Sequence, residues 1–506
     1  MPPANPTAPY LAKETPARAP AHTARDDAVA RTGGATLEAD ICIIGAGAGG
    51  LAIAAAATAV GQRVVMIEKN QLGGASLNYG CVPSKALLAA ATRAHQMRTA
   101  QSFGITPVQP AIDYGAVRDH VYGVIRAIAP NDALERYTAM GVNVVQAAAR
   151  FVDKATVEAG DVRIKARRFV IATGSSPVVP PIPGLDSVAF FTNETIFDNA
   201  RQLERLVVVG GGATALELAL AHLRLGSFVA VLAPETALGD EDPELAAIAL
   251  RALRAEGLDI REGVTVDRVD TARRGLRLSI TNGGAGGTLD ATHLLIAGER
   301  RPNVSDLNLA AAGIKTGPRG ISVNAALRTT NRRVYAIGDV TGHSRQSHAA
   351  TYHASVFLKR VLFRLRATEI PHLVPRVTFT DPEIAWVGLS EEEARGRHKR
   401  IRVLRWPYSE NDRAQAERTT EGHIKVITDD AGLILGAGLV GAQASELIQV
   451  WALAVAQKLS IKAMTEWVAP YPTLSEINRR VALRSYAAAA GSPFVRWFVR
   501  FLGRFG

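Results

Sequence analysis

The sequence predicts an α/β protein built from two Rossmann-like dinucleotide-binding units and a C-terminal α+β domain. Two observations carry this. A glycine-rich loop lies between an apolar strand and an alanine-rich helix near the N-terminus, and the same arrangement recurs in the middle of the chain. The 506 residues also exceed what one core holds, which points to about three domains.

The order of elements begins after residues 1–37, an Ala-, Pro-, Thr- and Arg-rich leader predicted to be disordered. It lacks the apolar centre of a secretory signal. Ile41–Ile44 is an apolar strand, followed by Gly45-Ala46-Gly47-Ala48-Gly49-Gly50 and a helix over Leu51–Val60. Gly45 allows the tight turn, Gly47 admits a pyrophosphate against the backbone, and Gly50 lets helix pack on strand. The helix N-terminus supplies amides for the phosphates. A second strand, Val64–Ile67, ends in Glu68, close to the ~20-residue spacing of an acid that binds ribose hydroxyls.

The second unit opens with the strand Leu206–Val209. Gly210-Gly211-Gly212-Ala213-Thr214-Ala215 leads into a helix over Leu216–Leu225, and the strand Phe228–Leu232 follows. No acid closes that strand; the chain reads Ala233-Pro234-Glu235, and no arginine cluster replaces it. The preference between NADH and NADPH stays open.

Composition narrows the function. Only Cys42 and Cys81 are present, so no disulfide framework beyond one bridge can form, which points to a reducing compartment. Cys42, inside an apolar strand, reads as a core thiol. The net charge of +11 asks for acidic partners. No aromatic-basic module accompanies it, so nucleic acid is not expected; dinucleotide phosphates or an anionic membrane surface suit it better. No apolar run reaches the ~18 residues of a membrane span.

The stretch Gly73-Gly74-Ala75-Ser76-Leu77-Asn78-Tyr79-Gly80-Cys81-Val82-Pro83-Ser84-Lys85 resembles the active-site segment of the flavoprotein pyridine nucleotide–disulfide oxidoreductases, in the mercuric reductase and dihydrolipoamide dehydrogenase branch. Ile171-Ala172-Thr173-Gly174 and Tyr335-Ala336-Ile337-Gly338-Asp339 resemble two further segments of that family, and Arg376–Gly388 and Gly441–Ile448 its dimerisation domain. The resemblance covers residues 38 to about 490. It implies FAD on the first unit, with Asp339 at the ribityl chain, and NAD(P)H on the second. It divides the chain into 38–190 and 319–370 for FAD, 191–318 for NAD(P)H and 371–490 for dimerisation, and implies a homodimer located in the cytoplasm.

The resemblance also assigns roles. Cys81 matches the cysteine nearer the flavin, Lys85 the lysine beside it, and Glu217 that lysine's partner. Ser76 stands where the family has its other cysteine, and a hydroxyl cannot join a disulfide. In Pro470-Tyr471-Pro472-Thr473-Leu474-Ser475-Glu476 the family's Glu is kept as Glu476, but Tyr471 replaces its histidine base. A phenol is a poor base near neutrality. Gln346-Ser347 and Glu299 diverge too. The expected enzyme therefore oxidises NAD(P)H and passes electrons to a small non-dithiol acceptor such as a quinone. Two rivals stand beside it: a dihydrolipoamide dehydrogenase- or mercuric reductase-like activity through Cys81, and a redox-silent flavoprotein scaffold.

Residues 491–506 form a separate signal. Arg496, Arg500 and Arg504 fall on one helical stripe, and aromatic and aliphatic residues fill the rest. Such a tail suits a helix lying in a membrane interface, which would bring the enzyme to the inner face of the membrane. It equally suits packing on the dimer, and the sequence leaves both open.

Overall fold

Alternation along Ile41, Cys42, Ile43 and Ile44 places successive side chains on opposite faces of a sheet, and both faces are buried. In the computed structural model, which describes residues 36–343, 346–486 and 493–505, Ile41 and Ile43 pack beneath the helices Ala48–Ala59 and Ser347–Val361. Cys42 and Ile44 join the opposite core with Val65, Phe151 and Phe169. Cys42 is fully buried, and burial pushes its thiol well above the ordinary range.

This first sheet has seven strands. The strand Thr36–Ile44 pairs in parallel with Val64–Glu68 on one side and Val162–Ile171 on the other. The strand therefore starts at Thr36, two residues inside the expected leader, because Thr36 and Leu37 pair with Arg163 and Ile164. Residues 1–35 lie outside the described part. Building away from the central strand in both directions creates a topological switch point at its carboxyl end, where such folds bind ligands. The Gly45–Gly50 loop lies there.

After Ile171 the chain crosses to a second, five-stranded parallel sheet, and it returns to the first when Val334–Ala336 pairs with Phe169–Ile171. The second sheet runs Asp259–Glu262, Phe228–Ala233, Arg205–Val209, His293–Ile296 and Phe191–Thr192. A short antiparallel pair, Ser175–Pro177 with Arg300–Pro302, stitches the two crossings together. The third sheet is antiparallel, with Glu383–Gly388, Ile434–Gly441, His423–Asp429 and Ile401–Pro407 in succession, over a core that contains fully buried Trp451 and Tyr408.

Candidate active site

The two glycine loops are built on one plan. Gly45 N–H donates to Ile67 O at 2.8 Å, and Gly210 N–H to Leu232 O at 2.9 Å. Both glycines have positive φ, +107° and +134°. A Cβ on either would lie 2.4 Å from a carbonyl oxygen, that of Ala172 or Ala297. Only glycine meets both demands. Gly50 is equally constrained, since its Cβ would fall 2.0 Å from Gly45 O, whereas its counterpart Ala215 carries a Cβ and is fully buried. Gly47 differs: nothing comes nearer than Gly74 Cα at 3.9 Å, and around Gly212 nothing lies within 4 Å. Those positions leave open space over a helix N-terminus, which suits an approaching phosphate.

The first loop faces a cavity of about 1570 Å³, lined by Gly45, Gly47, Glu68, Thr173, Gly174, Gly338 and Asp339. That exceeds the ~300–1,000 Å³ of a drug-sized pocket and suits an extended dinucleotide. Glu68 is held by the loop itself, accepting from Ala46 N at 2.7 Å and from Asn70 N at 2.9 Å. Thr173 is fixed by a reciprocal pair with Asn303. Asp339 accepts from Ser175 Oγ at 2.6 Å, and Arg300 donates to both Ser175 Oγ and Ser175 O. Gly338 N donates to His353 Nδ1, so His353 presents its other nitrogen to Glu369, which His343 also meets at 2.7 Å. Burial pushes the Glu369 carboxyl up, but the two imidazoles outweigh it and hold the group at about 2.

The same cavity reaches Ser76, Cys81, Lys85 and Glu217. Cys81 opens the helix Cys81–Thr99, and Lys85 follows one turn later on the same face. Lys85 Nζ pairs with Glu217 Oε2 at 2.6 Å and lies 4.2 Å from the centre of the Phe379 ring. Glu217 is 5% exposed, so it is not a surface acid of its helix; its other oxygen accepts from Phe379 N at 2.9 Å. Ser76, on the short helix Gly74–Asn78, hydrogen-bonds Ser347 through its hydroxyl. Ser347 Oγ is also 3.5 Å from Cys81 Sγ. One hydroxyl thus joins the only exposed cysteine to Ser76.

Tyr471 and Glu476 lie elsewhere within one chain. Tyr471 is 71% exposed and donates to Asp412 at 2.8 Å, a bond that raises its phenol above the ordinary value. Glu476 accepts from Arg480 at 2.8 Å. Within one chain the two side chains do not bond each other, since each has another partner. Neither lines the cavity.

Sequence reasoning missed Ser347, Phe379, Arg300 and the His343–Glu369–His353 chain as parts of the site. Ser347 and Arg300 lay in segments noted as divergent; the other residues carried no signal.

Comparison with known proteins agrees with this geometry. Residues 39–354 match the family model "Pyridine nucleotide-disulphide oxidoreductase", and residues 374–482 match its dimerisation domain, which supports a homodimer. A mercuric reductase of Lysinibacillus sphaericus is 33% identical over 450 residues, 88% of this chain and 82% of that protein. A dihydrolipoyl dehydrogenase of Thermus scotoductus is 36% identical over 453 residues, 86% of this chain and 95% of that protein. Among solved structures, LpdA from Mycobacterium tuberculosis superimposes with a TM-score of 0.81 at 26% identity, covering 89% of this chain and 99% of that one. The fold, the paired glycine loops and these matches agree: the chain belongs to the pyridine nucleotide–disulphide oxidoreductases, enzymes that use FAD and NAD(P)H.

Proposed function

We propose that this oxidoreductase passes electrons from NAD(P)H to a small acceptor that is not a disulfide, a quinone being the simplest. The observation that carries the reading is the cavity wall at Ser347, where among the described residues the Cys81 thiol hydrogen-bonds one hydroxyl, that of Ser347, which in turn bonds Ser76. Ser76 is read as standing in the place of the family's first redox cysteine. Cys42 cannot substitute, because it is sealed in the first sheet. Without a second sulfur no internal disulfide forms and none is relayed to a substrate.

The residues present fit the cofactors. Gly45, Gly47, Gly50, Glu68, Thr173, Gly174, Gly338 and Asp339 would hold FAD, and Gly210 and Gly212 would hold the NAD(P)H pyrophosphate. FAD supplies a carrier that takes a hydride from NAD(P)H and yields the electron pair to the acceptor. Lys85 places a cation at the cavity wall where negative charge develops on reduction. Glu217, buried and bonded to Phe379 N, fixes that ammonium. The sum is NAD(P)H, a proton and quinone giving NAD(P)⁺ and hydroquinone.

One rival has an observation in its favour. Cys81 is exposed to the cavity, so the single thiol is open to a mixed disulfide or a metal ion, in the direction that the names of the relatives indicate. A redox-silent scaffold is the remaining alternative. Steady-state NAD(P)H oxidation against quinones, lipoamide, glutathione disulfide and mercuric ion separates the three. Quinone turnover alone supports the proposal, lipoamide or mercuric turnover at comparable rates supports the Cys81 route, and an FAD that NAD(P)H does not bleach supports the scaffold.

A further inference from the structure

The C-terminal helix Pro493–Leu502 has no buried residue. Phe494, Trp497, Phe498, Val499, Phe501, Leu502 and Phe505 are all exposed, and the rings stack on one another rather than on the body of the protein, as in the pairs Phe494–Phe498 and Trp497–Phe501. At about 100° per residue, the apolar side chains from Trp497 round to Val499 fill an arc of roughly 200°. Arg496, Arg500 and Arg504 occupy a separate stripe, and among the described residues none of the three has an acidic partner. No Asp or Glu occurs from residue 487 to the C-terminus.

A continuous aromatic face in water is costly, and so short a helix is marginal by itself. Both costs fall if the apolar arc enters a hydrocarbon boundary. Ten residues at 1.5 Å rise give about 15 Å, half of the ~30 Å hydrocarbon core, so the helix cannot cross a bilayer. Among the described residues no helix is long and apolar enough to do so. Its geometry suits lying flat, with the rings among the upper acyl chains and the guanidiniums reaching outward to the headgroups. Charge selects the surface. Three unpaired arginines on a chain of net charge +11 favour anionic over zwitterionic lipid.

We infer that the Pro493–Leu502 helix binds the holoenzyme to the face of an anionic phospholipid bilayer, lying in the interface through its aromatic arc and its Arg496–Arg500–Arg504 stripe. This does not depend on which acceptor the cavity reduces.

The test is flotation of the full-length holoprotein with vesicles of phosphatidylcholine alone or mixed with phosphatidylglycerol. The protein should float with the anionic vesicles, remain behind with phosphatidylcholine, and release as salt is raised. The triple variant Arg496→Gln, Arg500→Gln, Arg504→Gln should bind about a hundredfold more weakly, from the contribution of each basic residue near an anionic surface. A second variant, Trp497→Ser with Phe501→Ser, should lose binding at every salt concentration. Retained FAD absorbance and circular dichroism show that each variant is folded. Failure to bind either vesicle overturns the inference. So does a wild-type tail that leaves vesicles alone while the variants change the oligomeric mass by light scattering, which would mean that the helix covers a second copy of the chain.

Discussion

Cys81 and Lys85 sit one turn apart on the same helix face, yet their surroundings differ in kind. Lys85 has a complete setting: a buried carboxylate at 2.6 Å, an aromatic ring at 4.2 Å, and a backbone amide that fixes the carboxylate. Cys81 meets a serine hydroxyl at 3.5 Å, and that serine bonds another serine. In the proposed reading Lys85 serves hydride entry, while the Cys81 position lacks the second sulfur that electron exit through a disulfide requires. The contrast teaches that the two half-reactions rest on separable contacts. Glu217 and Phe379 hold the lysine from other elements of the chain, so changes at Ser76 or Tyr471 leave that assembly untouched.

The largest expected difference lies between acceptors. Turnover with lipoamide or glutathione disulfide should fall below turnover with a soluble quinone by a factor on the order of 10³, equivalent to about 4 kcal/mol in the barrier. Comparable rates measured side by side would erase the contrast between the two positions. Next comes Glu217→Gln, which keeps an acceptor for Phe379 N–H but removes the charge that fixes Lys85. Reduction of the bound FAD by NAD(P)H, followed by stopped-flow absorbance without oxygen, should slow by about a hundredfold, with FAD content unchanged.

A smaller effect is expected at the thiol. Ser347→Ala removes the thiol's neutral hydrogen bond, worth about 1 kcal/mol, together with the bond to Ser76, and should change the alkylation rate of Cys81 by about fivefold. FAD reduction by NAD(P)H should stay at the wild-type rate, because Ser347 does not touch the lysine. The smallest effect belongs to Tyr471→Phe. The phenol's pKa is raised by its bond to Asp412, so it stays protonated through neutral pH and supplies no base there. Quinone turnover should remain within about twofold of wild type, with an unaltered pH profile between neutrality and the ordinary tyrosine pKa. A lost alkaline limb in the variant would reassign Tyr471 to the chemistry.

Much of this frame is legible in the sequence because it is local. Gly45 and Gly210 each follow an apolar strand and precede a helix, and their positive φ follows from that turn. Lys85 and Glu217 are far apart in sequence, but each belongs to a motif whose position is known from the family resemblance. Ser347 is another matter. Its bonds to Ser76 and Cys81 span 271 and 266 residues, and a serine in a helical segment carries no periodic signal. Arg300 was visible only as part of an unusual run, since its clamp on Ser175 forms when two crossings between the sheets pair. Tyr471 reads as a replacement and Glu476 as retained; the partner of Tyr471, Asp412, comes only from tertiary geometry, whereas Arg480 follows Glu476 by one helical turn.

The central claim concerns sulfur, and anaerobic titration with NAD(P)H tests it most directly, in the wild type beside Ser76→Cys. Wild-type enzyme should accept one electron pair per FAD. The variant should accept two pairs and develop a long-wavelength thiolate–flavin band, provided the new Cα lies within about 7 Å of that of Cys81, as a disulfide requires. A wild-type enzyme that takes up two pairs per FAD would contradict the account, because it would prove a second redox centre although the other cysteine, Cys42, is buried in the first sheet.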